Sequence, residues 1–181
     1  MTAAPGPVRR VLRRVLIGLT TLVILFAAAT ARLIIWPASG MPAKVDAIVM
    51  LAGPGNRLPV ALELAREHRA PVLVVSRGWE GYGGPCPAPV AGVRLICFDP
   101  DPGDTRGEAE FVGRLAQRNH WHSITIVSIV PQDTRARMLM RRCYAGSVYV
   151  VPAGVPLTSM PYEIAYEWTA LFKAEFLYRS C

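Results

Sequence analysis

The segment that most limits what this chain can become is Val15–Ala31, seventeen residues without a charge (VLIGLTTLVILFAAATA). Leu33–Trp36 extends it beyond Arg32. The shorter run makes about 25 Å of helix and the longer about 33 Å, which brackets the hydrocarbon core of a bilayer. Arg32 falls near the far interface, where its stem can snorkel to the headgroups. Arg9, Arg10, Arg13 and Arg14 stand ahead of the run, and no acid precedes Asp46. The positive-inside rule therefore predicts a basic cytoplasmic segment over 1–14 and a single-pass plasma-membrane anchor over Val15–Trp36, with the rest of the chain outside. Ala29-Thr30-Ala31 also fits a signal-peptide cleavage site. The apolar run resumes at once in Leu33-Ile34-Ile35-Trp36, which favours a retained anchor. Either reading exports the same domain.

The remainder has room for one domain of ordinary size. Residues 37–45 read as a Pro/Gly linker and 46–181 as the domain. Net charge is +7, but four positive charges precede the span, leaving +3 for the rest. That is too little for the concentrated basic face that nucleic acid requires, so no nucleic-acid partner is expected.

Short continuous apolar runs alternate with helical patterns throughout. Asp46–Leu51, Pro71–Val75, Val93–Phe98, Ser123–Val130 and Val148–Val151 read as strands, the first two and the fourth as strands covered on both faces. Leu58–His68, Thr105–Asn119, Gln132–Arg142 and Pro161–Tyr178 read as helices. Thr105 and Glu108 have the spacing of a T-x-x-E capping box. Trp79–Pro89 is Gly- and Pro-rich and irregular. The expectation is an α/β domain with a Rossmann-like parallel sheet of about five strands flanked by helices, preceded by one transmembrane helix.

In a parallel sheet the strand-to-helix loops open on one edge, where ligands bind. Gly53–Arg57, Ser76–Gly78, Asp104–Glu108 and Gln132–Arg135 converge there. Gly53 and Gly55 let backbone approach a ligand, although a lone G-x-G more often serves only its turn. Arg57 and Arg135 are fork-shaped donors for phosphate or carboxylate, or else solvated helix arginines. Arg77 is a third cation, Ser76, Gly78, Asp104, Thr105 and Gln132 add polar groups, and Glu108 is the candidate acid/base. His120-Trp121-His122 falls at the opposite edge and reads as a surface turn. No triad, metal cluster or cofactor fingerprint stands out.

Cys86, Cys97, Cys143 and Cys181 form an even set that allows three pairings. Without a C-x-x-C pair, a zinc ribbon, a thioredoxin-type site or a thiol-redox function is disfavoured. Cys86 and Cys97 have the spacing of a local loop clip, and a Cys143–Cys181 bridge would staple the last helix to the body. Four free thiols in a cytosolic protein are the alternative.

In order, these elements resemble the YdcF/SanA/ElyC family of bacterial proteins from about Asp46 to the C-terminus. The matching segments are DAIVMLAG with Arg57, Ser76-Arg77-Gly78, Asp104-Thr105-Arg106-Gly107-Glu108-Ala109, Val127–Ala136 (VSIVPQDTRA) and the Tyr166-Glu167-Trp168 helix. The paired cysteines resemble those of actinobacterial members. The resemblance implies a Rossmann-like fold, a membrane anchor in many members, and a role in envelope integrity and peptidoglycan or lipid-carrier metabolism. One relative of cytoplasmic type is associated with S-adenosylmethionine. Gln132 stands where the family pattern has histidine, and Ala52 and Arg77 where it has glycine. Glutamine exchanges no proton near neutral pH. Two expectations therefore stand side by side: an enzyme acting on an anionic small molecule or lipid-linked precursor bearing phosphate or a nucleotide, and a binding module without turnover.

Overall fold

The computed structural model describes residues 7–78, 84–179 and 181. Residues 1–6 of the basic segment and 79–83 of the irregular loop lie outside the described residues. Helix α1 (Pro7–Thr30) carries the charge-free run and continues through a π-helical turn, Ala31–Ile35. Val8–Ile35 is long and apolar enough to cross a membrane; its most apolar stretch is exposed, while its last turn is seated on the domain, where Ile34 is fully buried.

The apolar runs form a five-stranded, all-parallel sheet ordered β3-β2-β1-β4-β5. The strands are β1 (Ala47–Met50), β2 (Val72–Ser76), β3 (Arg94–Phe98), β4 (Ser123–Ile129) and β5 (Ser147–Ala153). Burial follows this order. β1 and β2 are buried at every position, β4 at all but its first, and the edge strands β3 and β5 only in part. Pro152 is tolerated because β5 is an edge.

Helix α2 (Arg57–Arg66) covers one face, against Ile48, Met50, Leu73 and Val75. Helices α3 (Thr105–Arg118) and α4 (Asp133–Cys143) cover the other, against Val49, Val74, Ile126 and Val150, and α5 (Met160–Phe176) contributes Ala174 to that layer. The two faces are filled because the chain leaves β1 toward β2 and β3, then crosses to β4 and β5, and right-handed crossovers in opposite directions lie on opposite faces. The β2–β3 connection has no helix among the described residues and is clipped by Cys86–Cys97, with Cα atoms 6.0 Å apart. Cys143–Cys181 ties the end of α4 to the end of the chain, Cα atoms 4.9 Å apart. Both pairings are those whose spacing suited a clip and a staple.

One expectation is corrected. The capping box does not form: α3 is capped by Asp104, whose carboxylate accepts the Arg106 and Gly107 N–H groups at 2.9 and 3.1 Å. Its cap lies one residue earlier, which releases both Thr105 and Glu108 for the sheet edge. The segment between the apolar helix and β1 is tied to the domain. Gly40 donates to Val150 O at 2.7 Å, masking the β5 edge, while Arg137 reaches Ala38 O and Thr134 reaches Leu33 O.

Candidate functional site

The strand order reverses between β1 and β4, so the loops after these strands diverge and leave a crevice at the carboxyl edge of the sheet. A cleft of about 910 Å³ occupies it, a volume suited to a ligand of nucleotide or disaccharide size. Among the residues singled out from sequence, Gly53, Arg57, Gly78, Asp104, Thr105, Glu108, Gln132 and Arg135 line it.

Three residues sit differently. Gly55 (φ +93°) is spent on packing, since a Cβ there would come within 2.7 Å of both Gly154 O and the Ile129 side chain. Arg77 forms an ion pair with Asp99, each side chain well exposed, and does not line the cleft. Ser76 is fully buried beneath it, accepting the Gly78 N–H at 3.3 Å and hydrogen-bonding Glu108.

The arginines do not stand open for an anion. Arg57, buried at the start of α2, folds back over the preceding loop: Nε donates to Pro54 O at 2.8 Å, and Nη1 to the Leu51 and Ala52 carbonyls. Its Nη2 lies against Gly53 (φ +126°), where a Cβ would stand 2.9 Å away, so glycine is needed for the arginine to nest. Arg135 is committed to Glu167 in a two-pronged pair, Nε to Oε2 and Nη2 to Oε1, both 2.7 Å. Its Nη1 donates to Thr105 Oγ1 at 3.1 Å. Burial opposes the Arg135 charge, but the hydrogen bonds and charge of Glu167 prevail and hold the guanidinium above its ordinary pKa.

Gln132 closes a buried chain between these groups. Its Oε1 accepts from Ser128 Oγ at 3.0 Å, and its Nε2 donates to Thr105 Oγ1 at 2.9 Å. One acceptor and one donor are what a neutral imidazole would offer at this position, without the titration. Thr105 Oγ1 thus accepts twice, and its own proton remains as a donor on the cleft wall.

Glu108 has only 2% exposure. Burial pushes it up to about 6, against the opposing pull of Ser76, the Ala52 N–H at 2.7 Å, Arg57 and Arg135. A carboxyl so held exchanges its proton close to neutral pH, the property a general acid or base requires.

Sequence reasoning missed Tyr162, Glu163, Tyr166 and Glu167, which α5 contributes to the cleft. Their signal was topological: the β5–α5 connection opens on the same edge as the other four. Glu163 is raised by burial and then by Glu167, while Arg57 and Arg135 oppose the rise. It carries no hydrogen bond or ion pair among the described residues. The helix starts are thereby largely compensated from within. Glu108, Asp133 and Glu163 sit in the first turns of α3, α4 and α5, so of the four described helices that start at this edge α2 alone has no acid there. No group of three or more His, Cys, Asp or Glu residues able to hold a metal occurs among the described residues.

Asp133, behind this wall, is completely buried, and neither carboxylate oxygen has a hydrogen-bond partner among the described residues. Burial pushes it up to about 7, with Arg137 and Arg57 opposing and Glu167 adding to the rise. A folded pKa above the unfolded value of 3.8 contributes stability at low pH that is lost as pH rises toward 7. The slope is about 1.4 kcal/mol per pH unit within that window. Asp133→Asn is therefore expected to remove this slope, melting above the parent at pH 8 and no higher than it at pH 4.5. Melting temperatures of the two proteins followed across this range check it.

Comparison with protein-family models, with curated proteins and with solved structures finds no match to this chain.

Proposed function

We propose that this protein is a membrane-anchored, extracytoplasmic member of the YdcF/SanA/ElyC type. In this reading it binds a phosphate-bearing or nucleotide-like envelope precursor at the carboxyl edge of its sheet, and Glu108 acts as acid/base. The observation that carries it is Glu108: buried, held by Ser76 and Ala52, raised to about 6, and lining a cleft of about 910 Å³. The four arginines ahead of the span and the two disulfides support export of the domain, because disulfides persist in oxidising compartments. An anionic group of the ligand is best received at the start of α2. That helix has no acid in its first turn and no side-chain cap, and Arg57 is beside it. Arg135 then acts as a positioning residue, since its guanidinium is already matched by Glu167.

A second reading, binding without turnover, is favoured by Gln132, whose amide is used at both ends and transfers no proton. Thermal-shift titration of the full chain in detergent tests the site common to both. The probes are a nucleotide sugar, a polyprenyl phosphate and S-adenosylmethionine. At least one should raise the melting temperature, and the rise should shrink in Arg57→Ala. Stabilisation by none of them, or equal stabilisation of the variant, overturns the assignment of the cleft.

A further inference from the structure

Helix α5 is polarised the wrong way round for a helix in water. Its buried side carries Glu163, Glu167 and Ala174, exposed 7%, 1% and 7%. Its exposed side carries Tyr162, Tyr166, Phe172 and Phe176, at 68%, 47%, 60% and 61%. No unpaired acid interrupts this side: Glu175 bonds Arg142 at 2.9 Å and lies 3.6 Å from Arg179. Lys173, the charge among the aromatics, has its ammonium 5.0 Å from the Tyr178 ring centre.

What covers that side is indicated by Trp168. Its indole N–H donates to Thr30 Oγ1 at 3.0 Å, and its ring stacks on Phe26 with centroids 5.1 Å apart. Phe26 lies nine residues before Ile35, where the apolar helix ends. Nine residues of helix are about 13 Å, and half a hydrocarbon core is about 15 Å. A ring that stacks on Phe26 is therefore below the surface of a bilayer that α1 crosses, not above it. Trp168, Phe172 and Phe176 follow at four-residue intervals along one side of α5, and the last two rings are 4.8 Å apart. The row that begins on the anchor continues away from it as an aromatic stripe, with a lysine able to extend toward lipid phosphates.

We infer that the exposed side of α5 is a membrane-docking surface, seated in the leaflet that faces the domain, with Phe172 and Phe176 in contact with lipid. This rests on the reading of Val8–Ile35 as a membrane span. It has a consequence for the cleft. Tyr162, Glu163, Tyr166 and Glu167 of the same helix line its wall, so docking of α5 sets the cleft beside the headgroup layer. A lipid-linked ligand then presents its polar end without leaving the bilayer.

The test is lipid photo-crosslinking of the full chain in phosphatidylcholine vesicles containing anionic phosphatidylglycerol. Benzoyl-phenylalanine is introduced in turn at positions 172, 176 and 67, the last on the opposite face of the domain. Vesicle flotation is scored separately. The expected result is flotation of all three, with phospholipid adducts at 172 and 176 found by mass spectrometry and none at 67. Flotation without adducts at 172 and 176 overturns the docking of α5 and leaves the anchor standing. Crosslinks from 172 or 176 to a second copy of the chain also overturn it, by showing that protein covers this side. Failure to float removes the anchor and the docking together.

Discussion

Arg135→Met is expected to destabilise the domain by about 3–5 kcal/mol, the effect of removing one partner from a buried ion pair. The charge that would be left behind is Glu167, exposed by only 1% and bonded by both prongs of the guanidinium at 2.7 Å. Thr105 would lose its 3.1 Å donor at the same time, and the cation lying 5.9 Å from the centre of the Tyr166 ring would go. The loss should be felt widely because Arg135 joins α4 to the first residue of α3 and to the middle of α5. Arg135→Lys should recover little, since an ammonium does not reproduce the planar fork. Arg135→Met/Glu167→Leu should recover most of the loss, because it removes both charges and fills the space with apolar atoms. Urea unfolding of these proteins together with Glu167→Leu, which closes the cycle, measures the coupling. A single variant costing under about 1 kcal/mol would mean that the pair is screened and that α5 is held by its other contacts.

That ion pair also marks where sequence reasoning stopped. Runs such as DAIVML and PVLVV announce buried parallel strands because two covered faces require apolar residues at every position. The spacing of Leu58, Ala61 and Ala65 announces α2 in the same local way. The edge of the sheet was legible for a related reason, since strand-to-helix loops must share it. Which side chains face one another across that edge was not legible. Arg135 and Glu167 are 32 residues apart and meet only after β5 and α5 are in place. The cap of α3 was misread by one residue because Asp104 and Thr105 are both good caps. Side-chain bonds from Asp104 to the Arg106 and Gly107 N–H groups decide between them. That single shift moves Glu108 from a local capping role to the cleft, where its carboxylate reaches the Ala52 N–H of another loop.

On the proposed reading of Glu108 as acid/base, Glu108→Gln is expected to lower turnover of a nucleotide-sugar or polyprenyl-phosphate substrate by 10²–10⁴-fold, the usual contribution of a positioned acid or base. Binding should be nearly unchanged. Glutamine keeps a carbonyl oxygen for the Ala52 N–H and the Ser76 hydroxyl, and it removes a group whose charge burial already disfavours. The pH profile separates proton transfer from mere shape. The parent should show a limb with an apparent pKa near 6, and Glu108→Gln should lack it. Ser76→Ala should move the limb upward, because the hydroxyl bond to the ionised carboxylate is the first of the influences holding the pKa down. Gln132→His supplies the complementary comparison. A neutral imidazole can accept from Ser128 and donate to Thr105 as the amide does, but it also titrates near neutral pH. If Gln132 is only a hydrogen-bond bridge, that variant should bind as the parent does. If the cleft lacks a second proton-transfer group, the same variant should gain rate and a new limb in its profile. A limb near 6 that survives Glu108→Gln would assign the titration to another group and remove Glu108 from the chemistry.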